Sequence, residues 1–182
     1  LNLFAGLRWF QFRDQLEFGA SESDAVFDYS NDDFFYMNEV SNDLFGGQLG
    51  ATATWCTGRC VNLFTGTSFG VYNNRMSLES YAGTATEIAT IVSSNQFNGE
   101  QFSFTAHDND IALLGEGNVG AGIRITRGWT ANVGYRLVGV SGVATSVGQI
   151  PRDFANLNSA WRLHNEHSVI LHGLTLGAAY NF

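Results

Sequence analysis

Apolar residues recur at every second position of this chain over stretches longer than ordinary strands, and no other feature restricts its fold as much. At the C-terminus, Ile170, His172, Leu174, Leu176, Ala178, Tyr180 and Phe182 alternate with Leu171, Gly173, Thr175, Gly177, Ala179 and Asn181. Ile111, Leu113, Val119, Ala121, Ile123 and Ile125 alternate likewise with Glu116, Asn118, Gly120, Gly122, Arg124 and Thr126. Trp129, Ala131, Val133, Tyr135 and Leu137 then alternate with Thr130, Asn132, Gly134 and Arg136. Period two means strands. The minority face mixes glycine with Arg and Glu, unlike the wet Lys, Glu, Thr and Ser face of a soluble sandwich.

Turn chemistry orders these strands. Thr57-Gly58-Arg59, between Cys56 and Cys60, is expected to join the run Leu44–Trp55 to Val61–Tyr72, and Arg127-Gly128 to join the next pair. Longer polar connections lie at the other ends, over 20–33, 84–100 and 148–167. The expected fold is all-β, an antiparallel up-and-down transmembrane β-barrel of six clear strands in one domain over 1–182. Short turns at one end and long loops at the other are the asymmetry of membrane barrels, whose single-chain forms begin at eight strands. Missing sequence, a neighbouring copy or a strand hidden at Glu87–Val92 would complete it. Trp55, Trp129, Tyr180 and Phe182 are expected to form an aromatic girdle at the turn end, with Trp9, Phe35 and Tyr81 opposite.

Composition agrees. Only 14% of residues are charged, against roughly a quarter in ordinary soluble domains. No apolar run approaches the ~18 residues of a spanning helix, which excludes a helical membrane protein but not a barrel. All nine basic residues are Arg, the net charge is −8, and no basic stripe appears, so nucleic acid is not expected as a partner. Nine of seventeen carboxylates fall between Asp14 and Asp43. The chain starts at Leu1, so that either a removed signal peptide or further upstream sequence is expected.

The terminal Leu174-Thr175-Leu176-Gly177-Ala178-Ala179-Tyr180-Asn181-Phe182 looks like the C-terminal sorting signal of bacterial outer-membrane barrels. Gly6-Leu7-Arg8-Trp9-Phe10, Leu16-Glu17-Phe18, Asn42-Asp43-Leu44-Phe45-Gly46-Gly47-Gln48-Leu49-Gly50, Gly115-Glu116, Trp129-Thr130-Ala131-Asn132-Val133-Gly134-Tyr135 and His172-Gly173-Leu174, in this order, resemble beta-barrel porin family seven of planctomycetes. The resemblance covers nearly the whole chain and is weakest over 82–101. It implies an exported barrel in the bacterial outer membrane, with membrane lipid around it, and brings no catalytic residues or cofactors.

The alternation itself nominates Arg8, Gln48, Asn62, Glu116, Asn118, Arg124, Asn132 and Arg136 as lumen-facing. They would either line a pore or, paired, plug a narrow barrel. Cys56 and Cys60, two thiols across one turn of an exported chain, are expected to form a disulfide. Asp28, Asp32 and Asp33 offer oxygen ligands for calcium but lack EF-hand spacing, and a solvated loop is the plainer expectation. His164, Glu166 and His167 make a poor metal set. His107, Asp108 and Asp110 have no nucleophile to serve, so no enzyme activity is expected. A homo-oligomer or larger envelope assembly is the expected partner state. The alternative from another class is a soluble β-rich module that self-assembles through exposed edges or binds partners. A carrier of apolar ligands would need a greasy lumen, which the inward arginines oppose.

Overall fold

In the computed structural model, residues 1–21, 33–58, 60–92, 97–126, 128–151 and 162–180 are described. They form six antiparallel strands: β1 (Asn2–Ala20), β2 (Phe34–Cys56), β3 (Val61–Thr84), β4 (Ser103–Arg124), β5 (Trp129–Val143) and β6 (His167–Tyr180). Each strand pairs with its sequence neighbours, giving a sheet in the order β1-β2-β3-β4-β5-β6. β2 begins at Phe34 and β3 ends at Thr84, at the bounds expected for the long connections over 20–33 and 84–100. Short turns and long connections fall at opposite ends, as the turn chemistry requires. Gly58 takes a left-handed φ of 108° and Thr57 N–H donates to Val61 O at 2.9 Å, closing the first turn.

The sheet curls into a half-barrel. A guanidinium on β1 touches a carboxylate on β4, although two strands lie between them in the sheet. Curvature this tight requires residues with no side chain on the inner face. At Gly46 an added Cβ would lie 2.1 Å from Val71 O and 2.6 Å from Tyr72 Cα, so nothing larger than glycine fits. β1 and β6, among the described residues, are not hydrogen-bonded to each other, and each keeps one open edge.

Two buried apolar clusters fill the concave side. Tyr36, Val40, Met76, Leu78, Phe102 and Phe104 pack at the loop end. Leu44, Tyr72, Ala112, Leu114, Val138 and Val140 pack below them.

One of the three ways of completing the barrel, and one expectation, fail. Glu87–Val92 is not a spanning strand: it makes only the isolated bridges Gly83↔Ile88 and Thr90↔Gln101, and Ile91 folds back onto the upper cluster. Cys56 and Cys60 are not bonded, and both thiols are free and exposed. The register explains this, because Cys56 faces Asn62 across the sheet and Cys60 sits in the connection before β3 begins. The two cysteines are not a cross-strand pair, and a disulfide demands closely approaching, convergent Cβ vectors.

Candidate functional site

Register assigns every strand residue to a face. Odd positions of β1 to β5 and even positions of β6 share the convex face, because residues directly opposite across a ladder point the same way. On that face Leu7, Trp9, Phe45, Leu49, Trp55, Phe69, Val71, Val119, Val133, Leu174 and Leu176 are all exposed, several by more than half. The apolar zone has a sharp upper limit. The rung Trp9↔Phe45↔Asn73↔Ile111 is followed by Gln11↔Asp43↔Arg75↔Asn109, which is wholly polar.

Below this limit the outer face is apolar to the turns apart from Thr65, Thr67, Ser141, Ser168 and the Tyr135–His172 pair. Phe45 to Trp55 is about ten residue steps, which at ~3.3 Å per residue and a typical tilt of ~40° stand about 25 Å tall. Trp129 and Tyr180 meet at the turn end with ring centroids 5.2 Å apart, and Trp55 flanks the other short turn. Phe182 lies outside the described residues. Of the three aromatics expected opposite, Trp9 stands at the belt's upper limit. Phe35 and Tyr81 lie on the same face well beyond the polar rung. Inside the belt, the Tyr135 hydroxyl and His172 Nδ1 are hydrogen-bonded to each other, so each shields a polar atom of its neighbour.

All eight nominated interior residues take the opposite, concave face. Four of them converge. Glu116 accepts from Arg8 Nη1 at 2.8 Å, and from Arg136 Nε at 2.7 Å and Nη2 at 2.9 Å, so one carboxylate joins guanidiniums of β1 and β5. Arg8 also donates to Gln48 Oε1 at 3.4 Å, and the Tyr72 hydroxyl donates to the same oxygen at 3.3 Å. The Arg8 guanidinium carbon lies 5.8 Å from the Phe10 ring centroid. Half-buried charges in this setting are stable because they are paired and their donors occupied. Asn62, Asn118, Arg124 and Asn132 lie nearer the turns on the same face, outside this network.

A second polar network lies above, and the alternation did not single it out. Gly142 adopts a left-handed φ of 76° at a register shift between Ser141 and Val143, and the chain leaves the sheet there and turns inward. The strap that follows crosses the concave side. Asn42 donates to Ala144 O at 2.8 Å and accepts from Ala144 N at 2.9 Å. Asn38 donates to Ser146 O at 3.3 Å, and Ser80 Oγ donates to Asn38 Oδ1 at 2.6 Å. Asn74 donates to both Asn42 Oδ1 and Gly142 O, each at 3.0 Å. Beyond them, Ser146 N and Oγ both donate to Asp14 Oδ2 on β1, at 2.8 and 2.7 Å. The strap thus runs from β5 across β3 and β2 to β1. The signal was present in the inner positions Asn38, Asn42 and Asn74, three amides where apolar residues would otherwise alternate.

The remaining candidates do not assemble. Asp28 and Asp32 lie outside the described residues, while Asp33 is buried. Among the described residues, no three His, Cys, Asp or Glu side chains group to hold a metal ion. His164 is tied through its backbone to the Gln149 amide, which accepts at 2.9 Å and donates at 2.7 Å. His107 takes the convex face and Asp108 and Asp110 the concave one, so the pleat separates them. Asp110 accepts instead from Asn165.

An exposed apolar belt around a polar, self-paired interior in a meander of long strands is barrel architecture, and the family comparison agrees with it over residues 1–182. The chain belongs to the family Putative beta barrel porin-7 (BBP7). No curated protein and no solved structure matches it. For this BBP7 chain the family description fits the barrel fold. The site residues named above come from the register and hydrogen bonding of the chain itself.

Proposed function

We propose that this BBP7 protein spans the bacterial outer membrane as a β-barrel whose interior is closed by its own side chains, serving a structural rather than catalytic role. The observation that carries this reading is the bounded belt. Exposed Leu, Val, Phe and Trp cover the convex face for about 25 Å and give way to a polar rung at one height. Water would oppose so large an apolar surface, whereas hydrocarbon accepts it. The closed interior rests on Glu116 drawing in Arg8 and Arg136, and on the strap above them. Among the described residues no catalytic constellation competes, and the porin-like family supports a non-enzymatic role.

Backbone groups along the free edges of β1 and β6 cannot go unpaired in lipid. The barrel closes by strand pairing at those edges, with a neighbouring copy or with further strands of the same protein. The open edges also favour the second reading, a soluble β-rich module that self-assembles or binds partners. Fractionation decides between them. Recovery only with detergent is expected, and a monodisperse protein in aqueous buffer would overturn the membrane reading. In planar bilayers the wild type is expected to conduct poorly, and large steady channels would overturn the closed interior.

A further inference from the structure

The polar rung at the top of the belt encloses a cleft of about 530 Å3 on the convex face, lined by Trp9, Gln11, Asp43, Phe45, Asn73 and Arg75. Its two charges behave unusually. Asp43 and Arg75 are directly opposite on β2 and β3 and share a face, the arrangement in which cross-strand ion pairs form. Among the described residues, however, neither takes part in an ion pair or side-chain hydrogen bond. Higher on the same face, Arg13 and Glu39 do pair, at 3.3 Å. The cleft therefore offers a guanidinium and a carboxylate side by side, each unengaged, with the amides of Gln11 and Asn73 beside them. Beneath them Trp9, Phe45 and Val71 are exposed, at 65%, 58% and 50%.

We propose that this cleft binds the headgroup of a zwitterionic, amine-bearing phospholipid of the surrounding membrane. Arg75, flanked by Asn73 and Gln11, takes the phosphate, and Asp43 takes the ammonium. The acyl chains descend over Trp9, Phe45 and Val71. Guanidinium is the side chain best matched to phosphate oxygens. The adjacent carboxylate makes the cleft neutral overall, which favours a headgroup with both charges over a purely anionic one. Aromatic rings at this level suit the boundary between hydrocarbon and headgroup. The inference rests on the membrane reading above, since the occupant is a lipid already held by the belt.

The test is lipid retention by the whole protein, released from mixed nanodiscs of phosphatidylethanolamine and phosphatidylglycerol and weighed by native mass spectrometry. One phosphatidylethanolamine is expected to remain on the wild type in at least fivefold excess over phosphatidylglycerol. Arg75→Gln is expected to lower its occupancy about tenfold, and Asp43→Asn to shift the preference toward phosphatidylglycerol. Arg13→Gln, on the same face but outside the cleft, is expected to leave both unchanged. Equal retention of the two lipids, or equal loss in Arg13→Gln and Arg75→Gln, overturns the proposal while the membrane reading stands. A protein that stays in aqueous buffer and never enters the nanodisc overturns both. All three variants change exposed or half-exposed positions, and heat-modifiable migration on gels checks that each has folded.

Discussion

Asn42 pairs with the backbone of Ala144, 102 residues later in the chain, using both halves of its side-chain amide. Asn42 stands where a strand neighbour would stand, satisfying a carbonyl and an N–H that the Gly142 bulge has pulled out of the sheet. Both residues are fully buried, so no water replaces either bond.

Asn42→Leu should therefore release the strap. It keeps the volume but leaves the Ala144 N–H and C=O and one Asn74 donor unpaired, a loss of about 3 kcal/mol. Amide exchange at Ala144 and Ser146 should accelerate strongly while Phe69 and Val119, deep in the belt, stay protected. Unchanged exchange at Ala144 would show that the strap is held by other contacts.

Glu116→Gln should loosen the lower interior. The amide keeps one acceptor but removes the charge between Arg8 and Arg136, leaving two guanidiniums facing each other in a half-buried space. A cost of about 2 kcal/mol is expected, moderated because Arg136 is partly exposed. Thermal unfolding in detergent reads the loss. In planar bilayers the same variant should conduct more than wild type, with anions favoured by the uncompensated arginines.

The adjacent glycines Gly46 and Gly47 should respond oppositely to alanine. Gly46→Ala drives a methyl group into the Val71 carbonyl and should cost more than about 3 kcal/mol or prevent folding. Gly47→Ala meets nothing within 4 Å on the convex face and should be nearly neutral. Equal yields of folded protein from both variants would contradict the backbone approach at Gly46.

The thiols should behave independently. Unreduced protein should take up two maleimide labels by intact mass, and reductant should leave the unfolding temperature unchanged, since Cys56 and Cys60 are both free. A chain that accepts no label until reduced would mean that the disulfide forms after all.

The sequence shows clearly where each side chain points but poorly what it meets. Glu116 and Arg136 could be brought close from the alternation and one turn, because their strands are neighbours. Arg8 could be assigned to the same face but not to the same carboxylate, since that contact spans two intervening strands and depends on how far the sheet curls. Cys56 and Cys60 look paired in the sequence because they bracket the Thr57-Gly58-Arg59 turn of an exported chain. The ladder instead puts Asn62 opposite Cys56.

The upper interior was least legible. Asn38, Asn42 and Asn74 lie beyond the clearest alternation, and their partners come from 142–146, a stretch that the alternation places neither in a strand nor in the connection over 148–167. No local signal ties an asparagine at position 42 to a backbone at position 144.

What the sequence by itself determined is the pleat: strands, their up-and-down order, and which residues face outward or inward. Alternation is a property of each backbone unit and needs no distant partner. Only the tertiary structure decided the level at which the belt stops, which charges share Glu116, and that the strap after Gly142 crosses the interior. Those outcomes depend on register and curvature accumulated over several strands, to which each residue contributes little and none alone is decisive.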